Sequence, residues 1–254
     1  MSFARLSLLS LVVLATAAAP VLADWDIGDS YKMHYPQLPD PNGWDVSNTY
    51  YTGVADDWLC TESGPVSDIH VWYSWFNDVP DVPEFLHVGI WTDDRTGEFS
   101  KPGTRLWHKD FLVDDPGVSV RPWGTGDQGW YDPVTGFMDP NNHQETWQLN
   151  LLIDPQEAFV QTQGNIYWLE VSVKLPLGTE SQLGWKTSMS EHFEDDAVWY
   201  EVGSPTPAWQ EITDPVTGVS LDMAFVITPE PGTLVLLGMA SLGLVVYVLR
   251  RRRS

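Results

Sequence analysis

The feature that most narrows the fold is a period of two. Through the middle of the chain, apolar residues recur at alternate positions in short runs that end at Gly, Pro, Asn or Asp, and few stretches show the 3.6-residue spacing of an amphipathic helix. Alternation sends successive side chains to opposite faces, so each run is a strand. The clearest runs are 67–76, 85–91, 104–113, 146–153, 165–175, 183–187, 197–202 and 221–227. In the first, Ile69, Val71, Tyr73 and Trp75 share one face and His70, Trp72, Ser74 and Phe76 the other. Aromatics on both faces predict a central strand. Residues 156–160 are expected to form one helical or irregular turn. Many strands without crossover helices predict an all-β fold, an antiparallel β-sandwich of jelly-roll type. The pentapeptide Asp-Pro-Val-Thr-Gly occurs twice, at 132–136 and 214–218, with a shorter relative at 94–97. Pro presets φ and Gly supplies positive φ, so these are tight turns between strands.

The two ends follow a different grammar. Arg5 precedes an apolar run over 6–19, and Val21-Leu22-Ala23 offers compact residues before Asp24, so 1–23 is expected to be a signal peptide cleaved between Ala23 and Asp24. At the far end, an apolar run over 233–249 is just long enough for a transmembrane helix, and Arg250, Arg251, Arg252 and Arg253 would hold its end on the cytoplasmic side. Pro229-Glu230-Pro231 precedes it, and the prolines keep that peptide extended and open to a protease. Pro-Glu-Pro, an apolar span and a terminal Arg cluster together resemble the PEP-CTERM sorting signal of bacteria that make exopolysaccharide. The resemblance implies an exosortase, a membrane-embedded cysteine peptidase, as partner, with processing near Pro229, Glu230 and Pro231. The domain plan is therefore a signal peptide (1–23), a β-sandwich domain (24–228) and a sorting signal (229–254).

The 35 acidic residues outnumber the 13 basic ones, for a formal net charge of -22. Five of the bases, Arg5 and Arg250 to Arg253, lie in the terminal segments, so the body is more acidic still. Such a surface excludes nucleic acid, which needs a basic footprint. The single cysteine, Cys60, forms no internal disulfide and is expected to be a small buried hydrophobe.

Several stretches of the body, Ala55-Asp56-Asp57-Trp58-Leu59-Cys60, the segment 64–72, Gly164-Asn165-Ile166-Tyr167-Trp168-Leu169, Gly184-Trp185-Lys186-Thr187-Ser188 and Asp195-Asp196-Ala197-Val198-Trp199, are similar to a bacterial surface-protein domain of unknown function found chiefly in planctomycete-like genomes. The resemblance implies a β-sandwich and carries over no catalytic residue.

Two side-chain patterns could carry chemistry. The chain has 14 Trp, and an exposed indole beside Asp or Asn captures sugar rings. Trp123, Trp130 and Tyr131, around the Gly-rich stretch 124–129, and Trp44, after Pro41-Asn42-Gly43, are the carbohydrate-binding candidates; Trp72, Trp75, Trp168 and Trp199 fall within strands and read as packing. The paired acids Asp56-Asp57, Asp93-Asp94, Asp114-Asp115 and Asp195-Asp196 are either solvated turn residues or ligands for Ca²⁺, which takes six to eight oxygens; Asp56, Asp195, Asp196 and Asp222 are the calcium candidates. The six His show no zinc spacing, and there is no Gly-x-Ser-x-Gly elbow. The expected function is that of an exported, exosortase-sorted protein of the cell surface or extracellular matrix, a non-catalytic binding or structural component associated with exopolysaccharide. The alternatives are a surface glycoside hydrolase or polysaccharide lyase working through paired carboxylates, and a self-assembling surface-layer component.

Overall fold

The run around His70 becomes a strand over Asp68–Trp75 in which every residue is buried, as two aromatic faces require. The computed structural model describes residues 24–49, 52–189, 192–202 and 208–229. In chain order its strands are β1 (Trp44–Ser47), β2 (Thr52–Leu59), β3 (Gly64–Val66), β4 (Asp68–Trp75), β5 (Phe85–Asp94), β6 (Lys101–Phe111), β7 (Val118–Asp132), β8 (Phe137–Leu152), β9 (Phe159–Gln161), β10 (Ile166–Lys174), β11 (Leu183–Lys186), β12 (Val198–Glu201), β13 (Gln210–Glu211) and β14 (Phe225–Thr228). The helical element among the described residues is one 3-10 turn, Phe76–Asp78, and no described helix is long and apolar enough to cross a membrane. The predicted transmembrane helix over 233–249 lies outside the described residues, as does the signal peptide.

The all-β class holds. Two six-stranded sheets run β11-β1-β7-β8-β4-β14 and β13-β12-β2-β10-β5-β6, with β3 and β9 as a separate pair. Alternate residues of β4 (Ile69, Val71, Tyr73, Trp75) join Val88 and Ile90 of β5, Leu149 and Leu151 of β8, and Leu169 and Val171 of β10 in one core. Each such fully buried aliphatic side chain contributes roughly 1.5–3 kcal/mol.

Two parts of the predicted architecture need correction. The sheets are not wholly antiparallel, because β1 runs parallel to β7 with Asp45 opposite Trp130. Nor is the first sheet an open jelly-roll layer. One edge of β4 pairs with β14 over residues 68–71 and with β11 over 73–75, so β4, β11, β1, β7 and β8 close into a ring. Closure removes exposed edges.

The Gly-rich segment 124–129, which falls in none of the predicted strands, lies inside β7. The hairpin it builds with β8 accommodates the glycines through register shifts between Pro122 and Trp130. The two Asp-Pro-Val-Thr-Gly turns form as predicted and alike. In the hairpin turn Gly136 has φ of 71° and its N–H donates to Asp132 O at 2.9 Å; in the other Gly218 has φ of 72° and donates to Asp214 O at 2.8 Å. Of residues 156–160, the first three belong to a turn on Asp154, whose side chain accepts the Gln156 N–H, while Phe159 and Val160 already lie in β9.

The ring closes around a polar filling. Gln128 of β7 accepts hydrogen bonds from Ser74 of β4 and Thr146 of β8, while Lys186 of β11 and His143 of β8 both reach the Asp45 carboxylate of β1. Gly184 must be glycine here: an added Cβ would come within 2.8 Å of the Trp130 ring and 2.9 Å of Asp45 Cβ.

Candidate functional site

The two sheets do not meet everywhere. Where β4, β8 and β10 approach the segment 80–83, the side chains leave a pocket of about 270 Å³ walled by Val71, Trp75, Trp147, Leu149, Val173 and Trp185. Val82 and Val120 also line it and are exposed. Its carboxylate, Asp81, is already engaged: Val82 N–H donates to one oxygen and the Thr179 hydroxyl to the other. Burial pushes the phenol of Tyr73, another lining residue, well above its ordinary pKa, so the wall is uncharged there.

Asn48 completes the lining and is the chemically odd member. It is 0% exposed, and neither its side-chain nitrogen nor its oxygen has a hydrogen-bond partner. Its backbone is fully used, the N–H donating to Leu183 O and the carbonyl accepting from Val173 N–H, each at 3.0 Å. A buried amide in this condition costs about 1–3 kcal/mol. A ligand with a group that both donates and accepts would remove that cost.

The aromatic candidates are placed differently from the expectation. Trp130 is 1% exposed and packs edge-on to Phe76 and His143 inside the ring. Trp44 is buried at 8%, with its indole N–H donating to Asp214 at 2.8 Å. Neither offers an open face, because the Gly-rich stretch is strand and its glycines let rings pack close: a Cβ on Gly129 would lie 2.4 Å from the Trp44 ring. Trp123 is half-buried, edge-on to Trp72 and beneath the Arg121 guanidinium. Tyr131 is half-buried too, and burial raises its pKa.

The four calcium candidates interact electrostatically in a series, Asp56 with Asp222, Asp222 with Asp196, and Asp196 with Asp195. Asp56 accepts from Gln37 Nε2, Met223 N–H and Asp57 N–H; burial raises its pKa well above the ordinary value, and Asp222 adds to this. Asp222 is raised by burial and accepts from Phe193 N–H. Burial and then Glu211 push Asp196 up to about 6. Asp195 is engaged by Ser100, whose hydroxyl and N–H bind its carboxylate and hold it below the usual range. Among the described residues no three His, Cys, Asp or Glu side chains are grouped to hold a metal ion. Asp57, on the opposite face of β2 from Asp56, is 0% exposed with both oxygens unpartnered, and burial raises it well above the usual range. Cys60 is buried, as expected, and its thiol faces Glu62 O.

With the pocket and the acids placed, comparison with known families becomes informative. Residues 33–228 match the family described as Domain of unknown function (DUF7901). The chain belongs to that family. Residues 228–253 match the PEP-CTERM protein-sorting motif, which makes this an exosortase-sorted, exported protein of the cell envelope. No curated protein and no solved structure matches the chain.

Every pocket residue lies within the family domain. Of the processing residues, Asp24 is described and accepts a hydrogen bond from Asn150, and Pro229 is the last described residue; Ala23, Glu230, Pro231 and Arg250 to Arg253 lie outside. Sequence reasoning missed the pocket and Asn48. The alternation that reveals strands gives no measure of the gap between two sheets, and Ser47-Asn48-Thr49 reads as an ordinary polar strand end. A signal for the ring filling did exist, since Lys186 interrupts an otherwise apolar run beside Trp185.

Proposed function

We propose that this exosortase-sorted protein is a non-catalytic binding component of the exopolysaccharide-rich cell surface, and that its binding element is the pocket between the sheets. The observation that carries this is Asn48, a fully buried amide without partners in a wall that is otherwise apolar except for the Tyr73 phenol and the already hydrogen-bonded Asp81. Its ligand is a small uncharged molecule with an apolar body and one group that donates and accepts hydrogen bonds. Scaling from an apolar cavity of about 150 Å³ that takes benzene, 270 Å³ holds roughly ten heavy atoms. The sorting tail supports placement at the surface, and the charge of -22 supports residence in a hydrated matrix rather than against an anionic membrane face.

Stacking on Trp44 and Trp130 is disfavoured by their burial, which leaves Trp123 and Tyr131 as the aromatic contacts for a saccharide. A glycosidase would place two facing carboxylates over the substrate, whereas the carboxylate in the pocket lining is Asp81 alone. A binding panel separates these readings: 2-naphthol, a neutral oligosaccharide, and an acidic polysaccharide with and without Ca²⁺. Saturable quenching of tryptophan fluorescence by 2-naphthol alone supports the pocket; binding of either saccharide with none of 2-naphthol replaces it with a glycan-binding surface.

A further inference from the structure

Inside the ring of strands, Asp45 and Lys186 stand directly opposite each other on β1 and β11. Both side chains are 0% exposed, and Lys186 Nζ lies 3.0 Å from Asp45 Oδ2. The geometry points to a covalent modification here: an intramolecular amide bond joining Lys186 Nζ to Asp45 Cγ, formed with His143 as the catalytic residue.

Three features support the reaction over a permanent ion pair. The first is hydrogen-bond arithmetic. An ammonium has three donors, yet Nζ has two acceptors, Gly43 O at 3.0 Å and Asp45 Oδ2. An amide nitrogen keeps one hydrogen, and Gly43 O is in place to accept it. On the other side Asp45 Oδ1 is buried without any partner, a position that costs a carboxylate more than the neutral amide oxygen it would become. The second feature is the dry interior. Holding two full charges away from water is expensive, and condensation removes both. Nζ is held 3.0 Å from Oδ2, the oxygen bonded to the carbon it would attack.

The third feature is a proton relay at the leaving atom. His143 Nε2 is 2.8 Å from the same Oδ2 that faces the lysine. The state of its other nitrogen can be read from its neighbours. Asn142 donates through Nδ2 to Asn77 and Asp139 and accepts the Asn77 N–H at Oδ1, which fixes its amide orientation. His143 Nδ1 faces that Oδ1 at 3.1 Å and therefore donates to it. Nε2 is then the accepting nitrogen, placed to take a proton that the Lys186 ammonium passes to Oδ2 and to return it to the departing oxygen.

The step balances without a co-reactant. The ammonium and carboxylate first become amine and acid by proton transfer. The nitrogen lone pair attacks Cγ to form the C–N bond, and the Cγ–Oδ2 bond breaks. Oδ2 leaves as water, carrying two of the three ammonium hydrogens, with His143 relaying one. His143 ends as it began, and nothing is oxidised or reduced. The product links residues 141 positions apart in an exported chain whose single cysteine allows no internal disulfide.

The test is a denaturing tryptic digest of the full chain, read by mass spectrometry. The expected result is a branched species in which the peptide holding Asp45 is joined through Lys186 to a second peptide, lighter than the two together by one water, with no cleavage after Lys186. His143→Gln, which keeps both partners, is expected to lower the bridged fraction at least tenfold. Separate, unbridged Asp45 and Lys186 peptides from the wild-type chain overturn the bond, and full bridging in His143→Gln overturns the role given to the histidine.

Discussion

Replacing Asn48 by Leu should make the protein more stable, an uncommon outcome for a substitution at a fully buried position. The side chains have the same branching and heavy-atom count, the bulkier methyls of Leu have the pocket beside them, and the two backbone hydrogen bonds of Asn48, to Leu183 and Val173, do not involve the amide. What the change removes is the desolvation of one buried donor and one buried acceptor that find no partner, worth about 1–3 kcal/mol. A body of this size gains about 2–4 °C in Tm per kcal/mol, so Asn48→Leu should melt roughly 2–12 °C higher. The assay is thermal unfolding followed by tryptophan fluorescence in ligand-free buffer, and the same variant should lose the preference for 2-naphthol over naphthalene. A Tm equal to or below that of the parent would mean the amide is satisfied, and the case for a hydrogen-bonding ligand would fall with it.

Other outcomes follow from the acids, the turns and the tail. Burial raises Asp57 above its ordinary value of 3.8, so the stability it contributes is complete below that value and is lost as pH rises through the raised one; Asp57→Asn should match the parent in acid and exceed it in alkali in chemical denaturation. Asp196, pushed up to about 6, acts in the same sense between 3.8 and about 6, but it is partly exposed, and Asp196→Asn should change the pH slope by less than about 1 kcal/mol. Gly136→Ala and Gly218→Ala should each cost about 1–2 kcal/mol in urea titrations, because a Cβ at either site meets nothing within 4 Å and the left-handed backbone is the whole penalty; unequal losses would show that the two turns are not equivalent. Replacing Pro229 and Pro231 by Ala should leave unprocessed chain in membrane fractions, and normal processing would count against recognition at that element.

What could be read in the sequence was what local rules govern. β4 is central because both of its faces carry buried aromatic residues, and the repeated Asp-Pro-Val-Thr-Gly folds alike because five residues suffice to specify the turn. Long-range closure could not be read the same way. That β11 would seal the ring against β4 depends on where β14 stops along β4, which no pattern within either strand records. The tryptophans misled for a related reason: Trp130 sits among glycines that resemble a loop, but Gly129 makes room for the Trp44 ring and Gly184, on β11, for the Trp130 ring. Asn48 and the Asp45–Lys186–His143 group are polar side chains at positions where alternation alone predicts nothing unusual, and only the surrounding burial shows that they are costly.

The pocket itself is tested most directly by calorimetric titration of the wild-type protein with 2-naphthol and with naphthalene. One saturable site is expected for 2-naphthol, with naphthalene about tenfold weaker, the value of one satisfied hydrogen bond of roughly 1–1.5 kcal/mol. Equal affinities, or no saturable binding of either, would contradict a pocket built around Asn48.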